Sequence, residues 1–194
     1  SGLSLYDRIT DSLGIARGTK DDNAIALAKL AIAMEYTSMG SIVIRSGDEM
    51  GYSSSQSSAL DWNNLITYSD LHAYYSGLIQ LRKTISKLTS GSTSSYSDFV
   101  FGTSSTDQIA YVINNGGNNE WNKIAVMYNN SDSAKWITLS DTSTDKWVIV
   151  ANNEDAGFET LKTVSGNSFS GNSFSSTSDA SASLAKSSWS SSST

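Results

Sequence analysis

The sequence predicts an α/β region followed by an all-β region, and three observations carry that expectation. Two helical stretches in the first half flank a short continuous apolar run, Ile42-Val43-Ile44. After about residue 90 the apolar spacing changes from a helical period to short β-rich runs separated by turn clusters. The chain has 194 residues, 38% of them hydrophobic, which suits one large domain or pieces of two around a real core.

Each element follows from local chemistry. Lys20 to Met39 opens on Asp21 and Asp22, as a helix N-terminus favours. Its apolar residues (Ile25, Leu27, Ala28, Leu30, Ala31, Ile32, Met34) cover most sides, so this helix is expected to be well buried, with Gly40 as its stop. Ile42 to Ile44 then suits a buried parallel strand. It runs into Ser46-Gly47-Asp48-Glu49, which places carboxylates just past a strand's C-terminal end, where βα-type folds build their sites. Residues 51–69 read as a loop. Leu71, Tyr74, Tyr75, Leu78, Ile79, Arg82 and Ile85 mark one face of a second helix, with Arg82 and Lys83 near its C-terminus.

The β-rich runs are Phe99 to Phe101, Ile109 to Ile113, Ile124 to Tyr128, Trp136 to Leu139 and Trp147 to Val150. Their length and spacing predict an antiparallel sandwich. A domain boundary is placed between residues 92 and 93, and the sandwich over 93–166. Residues 167–194 form a Ser-rich tail with a repeated Gly-Asn-Ser-Phe-Ser, read either as a flexible end or as a last strand.

Composition narrows the function. A net charge of −6 gives no basic footprint for nucleic acid or an anionic membrane surface. No stretch approaches the roughly 20 apolar residues of a membrane span, and the polar Ser1 to Thr10 does not open as a signal peptide. The absence of cysteine excludes disulfide and thiolate chemistry. Proline is also absent, and serine fills about a fifth of the chain.

Several segments stand in an order shared with one family. Leu3-Ser4-Leu5-Tyr6-Asp7-Arg8 is similar to its Leu-Thr-Leu-Trp-Asp-Lys. Ala28-Lys29-Leu30-Ala31 and Gly47-Asp48-Glu49-Met50 resemble its last barrel helix–strand unit, and Leu60-Asp61-Trp62 the Phe-Asp-Trp beyond it. Tyr74 to Arg82 resembles Tyr-Tyr-Ser-Gly-Leu-Ile-x-Leu-Arg, and Trp121 to Asn129 resembles Trp-Lys-Asn-Ile-Ile-Val-Met-Tyr-Asn. Trp147 to Val150 and Thr163-Val164-Ser165-Gly166 continue the likeness. In this order the segments resemble the type I pullulanases of Gram-positive bacteria, members of the α-amylase superfamily. Each motif alone is weak, and their collinearity is what makes the resemblance specific. The sequence departs from the family at Ile42, Ser86, Asn130 and Ser140, where proline is common, and in a shorter loop from Gly51 to Ala59.

The resemblance implies the last βα units of a (β/α)8 barrel over 1–92, then a C-terminal antiparallel β-sandwich. It implies hydrolysis of α-1,6 linkages in pullulan and branched starch by a retaining pair of carboxylates. Those carboxylates would lie upstream of Ser1, so this segment alone is expected to be inactive and no catalytic residue is assigned. The implied partners are an α-glucan and the remainder of the same enzyme, at an extracellular or cell-surface location, with no required cofactor. A non-catalytic carbohydrate-binding or surface module and an isoamylase or α-amylase relative stay open as alternatives.

Candidate site residues follow. Asp48 and Tyr52 are the candidate substrate contacts, Tyr52 by stacking on a sugar ring. Adjacent residues on an extended segment point to opposite sides, so Asp48 and Glu49 are not expected to act as a facing pair. Glu49, Asp61 and Trp62 are read as structural, with Asp61 and Trp62 packing where the loop returns. Asp21, Asp22 and Asn23 could bind a structural calcium, although helix capping explains them more simply. His72, the single histidine, is expected on a solvated face. Trp121, Trp136 and Trp147 could form a sugar platform but suit core positions better. Asn129-Asn130-Ser131 matches a glycosylation sequon, a common pattern.

Overall fold

A computed structural model describes residues 2–55, 59–89, 99–115, 123–130, 136–138, 146–165, 168–170 and 181–187. Helices come first and antiparallel strands follow. Helix α1 (Leu5–Leu13) starts where the Ser4 hydroxyl accepts the Asp7 N–H at 3.0 Å, and it stops at Gly14 in left-handed backbone. Helix α2 (Asp22–Thr37) starts at Asp21, whose carboxylate accepts the Ala24 N–H at 2.9 Å. Its breadth of burial matches its all-round apolar sequence, with Ala24, Ile25, Ala28, Leu30, Ile32, Ala33 and Tyr36 in the core. A short helix α3 (Asn64–Thr67) interrupts the expected loop, and α4 (Ser69–Thr84) and the one-turn α5 (Ser86–Thr89) follow. The face of α4 is the one the spacing predicts: Leu71, Tyr74, Tyr75, Leu78, Leu81 and Arg82 are buried, and His72 is exposed.

The strand expected at Ile42 to Ile44 does not form. Residues 41–45 have no regular structure, and Val43 is 87% exposed. Ile42, Val43 and Ile44 make no backbone hydrogen bond among the described residues. A strand exists only by pairing its backbone with a neighbour, and the described strands all pair antiparallel with one another, further along the chain.

The β region is a six-stranded sheet beside a two-stranded one. In chain order the strands are β1 (Phe99–Ser104), β2 (Gln108–Asn114), β3 (Lys123–Asn129), β4 (Trp136–Thr138), β5 (Lys146–Ala151), β6 (Lys162–Ser165), β7 (Ser168–Ser170) and β8 (Ser181–Ser187). The larger sheet runs β1-β2-β3-β8-β5-β6, and β4 pairs with β7. A segment of the Ser-rich tail thus supplies a central strand, β8, paired on both edges. Alternation sorts the side chains of β2, β3 and β5 between two cores. Tyr111, Ile113, Ile124, Val126 and Tyr128 join the helices in one cluster. Ala110, Val112, Ala125, Met127, Trp147 and Ile149 form the other. Trp147 is fully buried there, as its strand position suggested; Trp121 lies outside the described residues, as does the side chain of Trp136.

Four contacts tie the helices to the β region. Lys29 on α2 donates its ammonium to the Glu154 carbonyl at 2.9 Å, and the Tyr74 hydroxyl of α4 donates to the Asn152 carbonyl at 2.7 Å. Between them, Gly77 lets the Ala156 carbonyl lie against α4, at a distance a Cβ would not permit. The Thr37, Tyr111 and Tyr128 hydroxyls meet in the core between α2 and the sheet. Arg82 is 8% exposed and faces carbonyls instead of a carboxylate. Its guanidinium donates to the carbonyls of Tyr36 (2.6 Å), Ser38 (2.7 Å), Leu88 (3.2 Å) and Gly40, tying the end of α2 to the chain that follows α4. Among the described residues, no helix is long and apolar enough to cross a membrane.

Candidate functional site

Asp48, Glu49 and Tyr52 lie where residues 45–55 meet the start of α1. Gly47 makes this turn. It has a φ of +96°, and a Cβ there would stand 2.7 Å from the Tyr52 Cβ. Asp48 to Met50 then form one turn of 3-10 helix, not the extended segment expected, so Asp48 and Glu49 do not diverge as strand neighbours would. Glu49 folds back on its own turn, where its carboxylate accepts the Gly47 N–H at 2.9 Å. Asp48 reaches further and accepts the Leu5 N–H at 3.4 Å, at the first turn of α1. Burial pushes the Asp48 carboxyl above its ordinary range, and Glu49 and Glu35 add to this, while the Leu5 N–H and Arg45 oppose it.

Tyr52 is not available as a stacking surface. It is 8% exposed, packed beneath Gly47, with the Arg45 guanidinium 5.2 Å from its ring centre. The same arginine donates to the Gly2 carbonyl. Cation–π packing and the tight glycine turn thus occupy the ring that the sequence offered to a sugar.

Asp7 is the residue that sequence reasoning passed over. Its side chain is fully buried, and its carboxylate accepts from the Ser53 hydroxyl (2.5 Å), the Ser54 hydroxyl (2.7 Å) and the Ser54 N–H (3.0 Å). Burial raises this carboxyl, but the hydrogen bonds outweigh it and the net shift is downward. Ser53-Ser54-Ser55 reads as low-complexity loop, and nothing in the spacing links it to an acid 46 residues earlier. The available signal is its place in the Leu3-to-Arg8 segment, three residues after Ser4.

The remaining candidates lie apart from this junction. Asp61 accepts the Asn63 N–H and side-chain amide, both at 3.0 Å, and stabilises the entry to α3. Trp62 does not pack as expected: it is 68% exposed, because the turn directs Asn64 inward and leaves the indole outside. The Asp21 carboxylate is engaged as the α2 cap, and among the described residues no group of three acids, histidines or cysteines could hold a metal ion. Asn129, the acceptor of the sequon, is buried, and Ser131 lies outside the described residues. Chemically, the junction offers one satisfied, acidified carboxylate and one half-buried carboxyl of raised pKa, each committed to backbone or hydroxyl partners.

No family model and no curated protein sequence matches this chain. Solved structures do. The pullulanase from Bacillus acidopullulyticus superposes with a TM-score of 0.76 at 23% identity, over 96% of this chain and 23% of that one. Type I pullulanase from Bacillus subtilis str. 168, complexed with maltose, gives 0.74 at 18% identity, over 95% and 26%. Pullulanase from Anoxybacillus sp. LM18-11, complexed with maltotetraose, gives 0.68 at 20% identity, over 96% and 26%. The chain has the fold of part of a type I pullulanase. It spans about a quarter of the length of these structures. Within this pullulanase-like fold the Asp7–Ser54 and Asp48–Leu5 bonds hold the turn at 45–55 against α1.

Proposed function

We propose that this chain is the C-terminal portion of a starch-debranching glycoside hydrolase acting on α-1,6 linkages in pullulan and branched starch. Residues 1–92 would complete a (β/α)8 barrel, 93–166 would form a β-sandwich against it, and 167–194 would supply its last strand. The observation that carries this reading is the unpaired Ile42–Ile44 segment, with Val43 and Ile44 exposed, inside a chain that covers only about a quarter of each pullulanase structure. An apolar, unpaired backbone between two buried helices suits a strand awaiting its barrel neighbours.

The reaction would be retaining, with a nucleophilic carboxylate and an acid/base carboxylate from the preceding polypeptide. Asp7 and Asp48 are too engaged in hydrogen bonds to serve as that pair, so this segment alone would be inactive. Its role is to close the barrel and fix the loop at its rim, and the enzyme would work outside the cell on α-glucan. The test is complementation. The chain is assayed for reducing ends released from pullulan, alone and after co-expression with the Bacillus acidopullulyticus pullulanase lacking its matching quarter. Turnover is expected only from the pair. Hydrolysis by this chain alone would overturn the proposal.

A further inference from the structure

Helix α2 ends without a cation of its own: no basic residue stands in its last turn. The carbonyls of a helix's last turn have no intrahelical partner and carry its negative pole. Arg82, on α4, supplies the missing donor. Its Nη1 donates to the Tyr36 carbonyl inside α2 at 2.6 Å and to that of Ser38, just past the helix, at 2.7 Å. Its Nη2 donates to the carbonyls of Gly40 and, at 3.2 Å, Leu88. The Gly40 N–H donates to the same Leu88 carbonyl at 2.9 Å, so the chain before Ser41 is held twice. The far end of the following segment is fixed as well. The Arg45 carbonyl accepts the Asp48 N–H at 3.1 Å, and the Arg45 guanidinium packs on the Tyr52 ring and donates to the Gly2 carbonyl. Ile42, Val43 and Ile44 thus stand between two anchors, with no backbone hydrogen bond of their own among the described residues. A segment tethered at both ends has less freedom to lose than a free loop when a strand is laid on it.

We infer that Arg82 is a positioning residue whose guanidinium, caged by the carbonyls of Tyr36, Ser38, Gly40 and Leu88, presets the Ile42–Ile44 backbone for strand addition; that the added strand belongs to a barrel rests on the function proposed above. The cage selects a guanidinium. Two nitrogens of one planar fork each reach two oxygens, which an ammonium on a flexible stem does not reproduce. Charge points the same way. Burial lowers the Arg82 guanidinium from its ordinary value, yet an arginine keeps its proton. A lysine buried in this place would be pushed toward its neutral form.

The chain has no cysteine, so spin labels can be placed singly. They go on Val43→Cys in the segment and His72→Cys on α4, both exposed positions. Double electron–electron resonance on the full chain is expected to give one narrow distance. Arg82→Lys should lose that narrow peak while Trp147, buried in the second core, still reports a cooperative unfolding transition. Arg82→Ala should lose it too. Ethylguanidinium, which replaces the deleted fork, should restore the peak, and the fold where Arg82→Ala unfolds, while ethylammonium should not. A broad distribution in the parent, a narrow one in Arg82→Lys, or equal rescue by ethylammonium would each overturn the positioning role. The complementing Bacillus acidopullulyticus piece is then titrated against both chains. It should bind Arg82→Lys about ten-fold more weakly than the parent, and equal binding would overturn the role in strand addition. If the piece binds neither, the barrel reading falls, and the distance measurements still decide whether Arg82 presets the segment.

Discussion

Asp7 and Asp48 occupy one junction, yet their carboxyl groups are displaced in opposite directions, and each displacement has a consequence for stability. The Asp7 carboxyl is lowered in the fold, against about 3.9 in the unfolded chain. It therefore stabilises the fold fully above that unfolded value, and the contribution is lost as pH falls through the folded one. Replacing Asp7 by Ala should cost about 2–4 kcal/mol, because three donors lose a charged acceptor. Urea titration at neutral pH checks the loss, and a variant as stable as the parent would refute it. Asp48 runs the other way. Its carboxyl is raised by burial, so the fold is favoured below the unfolded value, and stability declines as pH climbs from about 3.9 through the raised folded value. Asp48→Asn can still accept the Leu5 N–H, so it should flatten the urea midpoint against pH across that window without lowering it at neutrality. Asp48 could be picked from the sequence because Gly47-Asp48-Glu49 follows an apolar run. Asp7 could not, because its partners are serines in a serine-rich chain and the contact crosses 47 residues.

At the scale of elements, legibility followed burial. α2 and α4 are readable because both bury side chains in the main core, so their apolar residues are dense and periodic. β2, β3 and β5 were readable for the same reason, with alternate residues in two cores. No apolar period announces α1 as a helix; its signals are a Ser4 cap and a Gly14 stop around nine mostly polar residues. Ile42 to Ile44 reads as a strand because composition records a need for strand neighbours, not their presence. The 152–157 loop is also invisible to periodicity, yet it latches α2 and α4 to the sheet. Gly77→Ala tests that latch. Alanine gains about 1 kcal/mol of helix propensity, but its Cβ meets the Ala156 carbonyl, a backbone atom that cannot rotate aside. Overpacking of about 1–3 kcal/mol should dominate. The urea midpoint is expected to fall, and a rise would mean the loop yields at no cost.

For the whole molecule, the decisive feature is that the β region and the helical region differ in how fully their backbone is paired. In the β region, β8 enters between β3 and β5, pairing Val126 with Leu184 on one side and Ile149 with Ala185 on the other. Stopping the chain after residue 180 would leave two long edges where the sheet now has a centre. We expect that truncation to abolish the cooperative transition reported by Trp147, which the second core buries completely. The helical region is the reverse case, with core helices in place and one apolar segment unpaired. Hydrogen exchange separates the two. Amides of β3 should exchange only through global unfolding, whereas those of Ile42, Val43 and Ile44, which have no described acceptor, should exchange almost as in an unfolded chain. If these three become a strand when the complementing pullulanase piece is present, their exchange should slow by about 100-fold or more while β3 changes little. Slow exchange at 42–44 in the chain alone would mean the segment already has a partner, and the idea that it waits for barrel neighbours would fail.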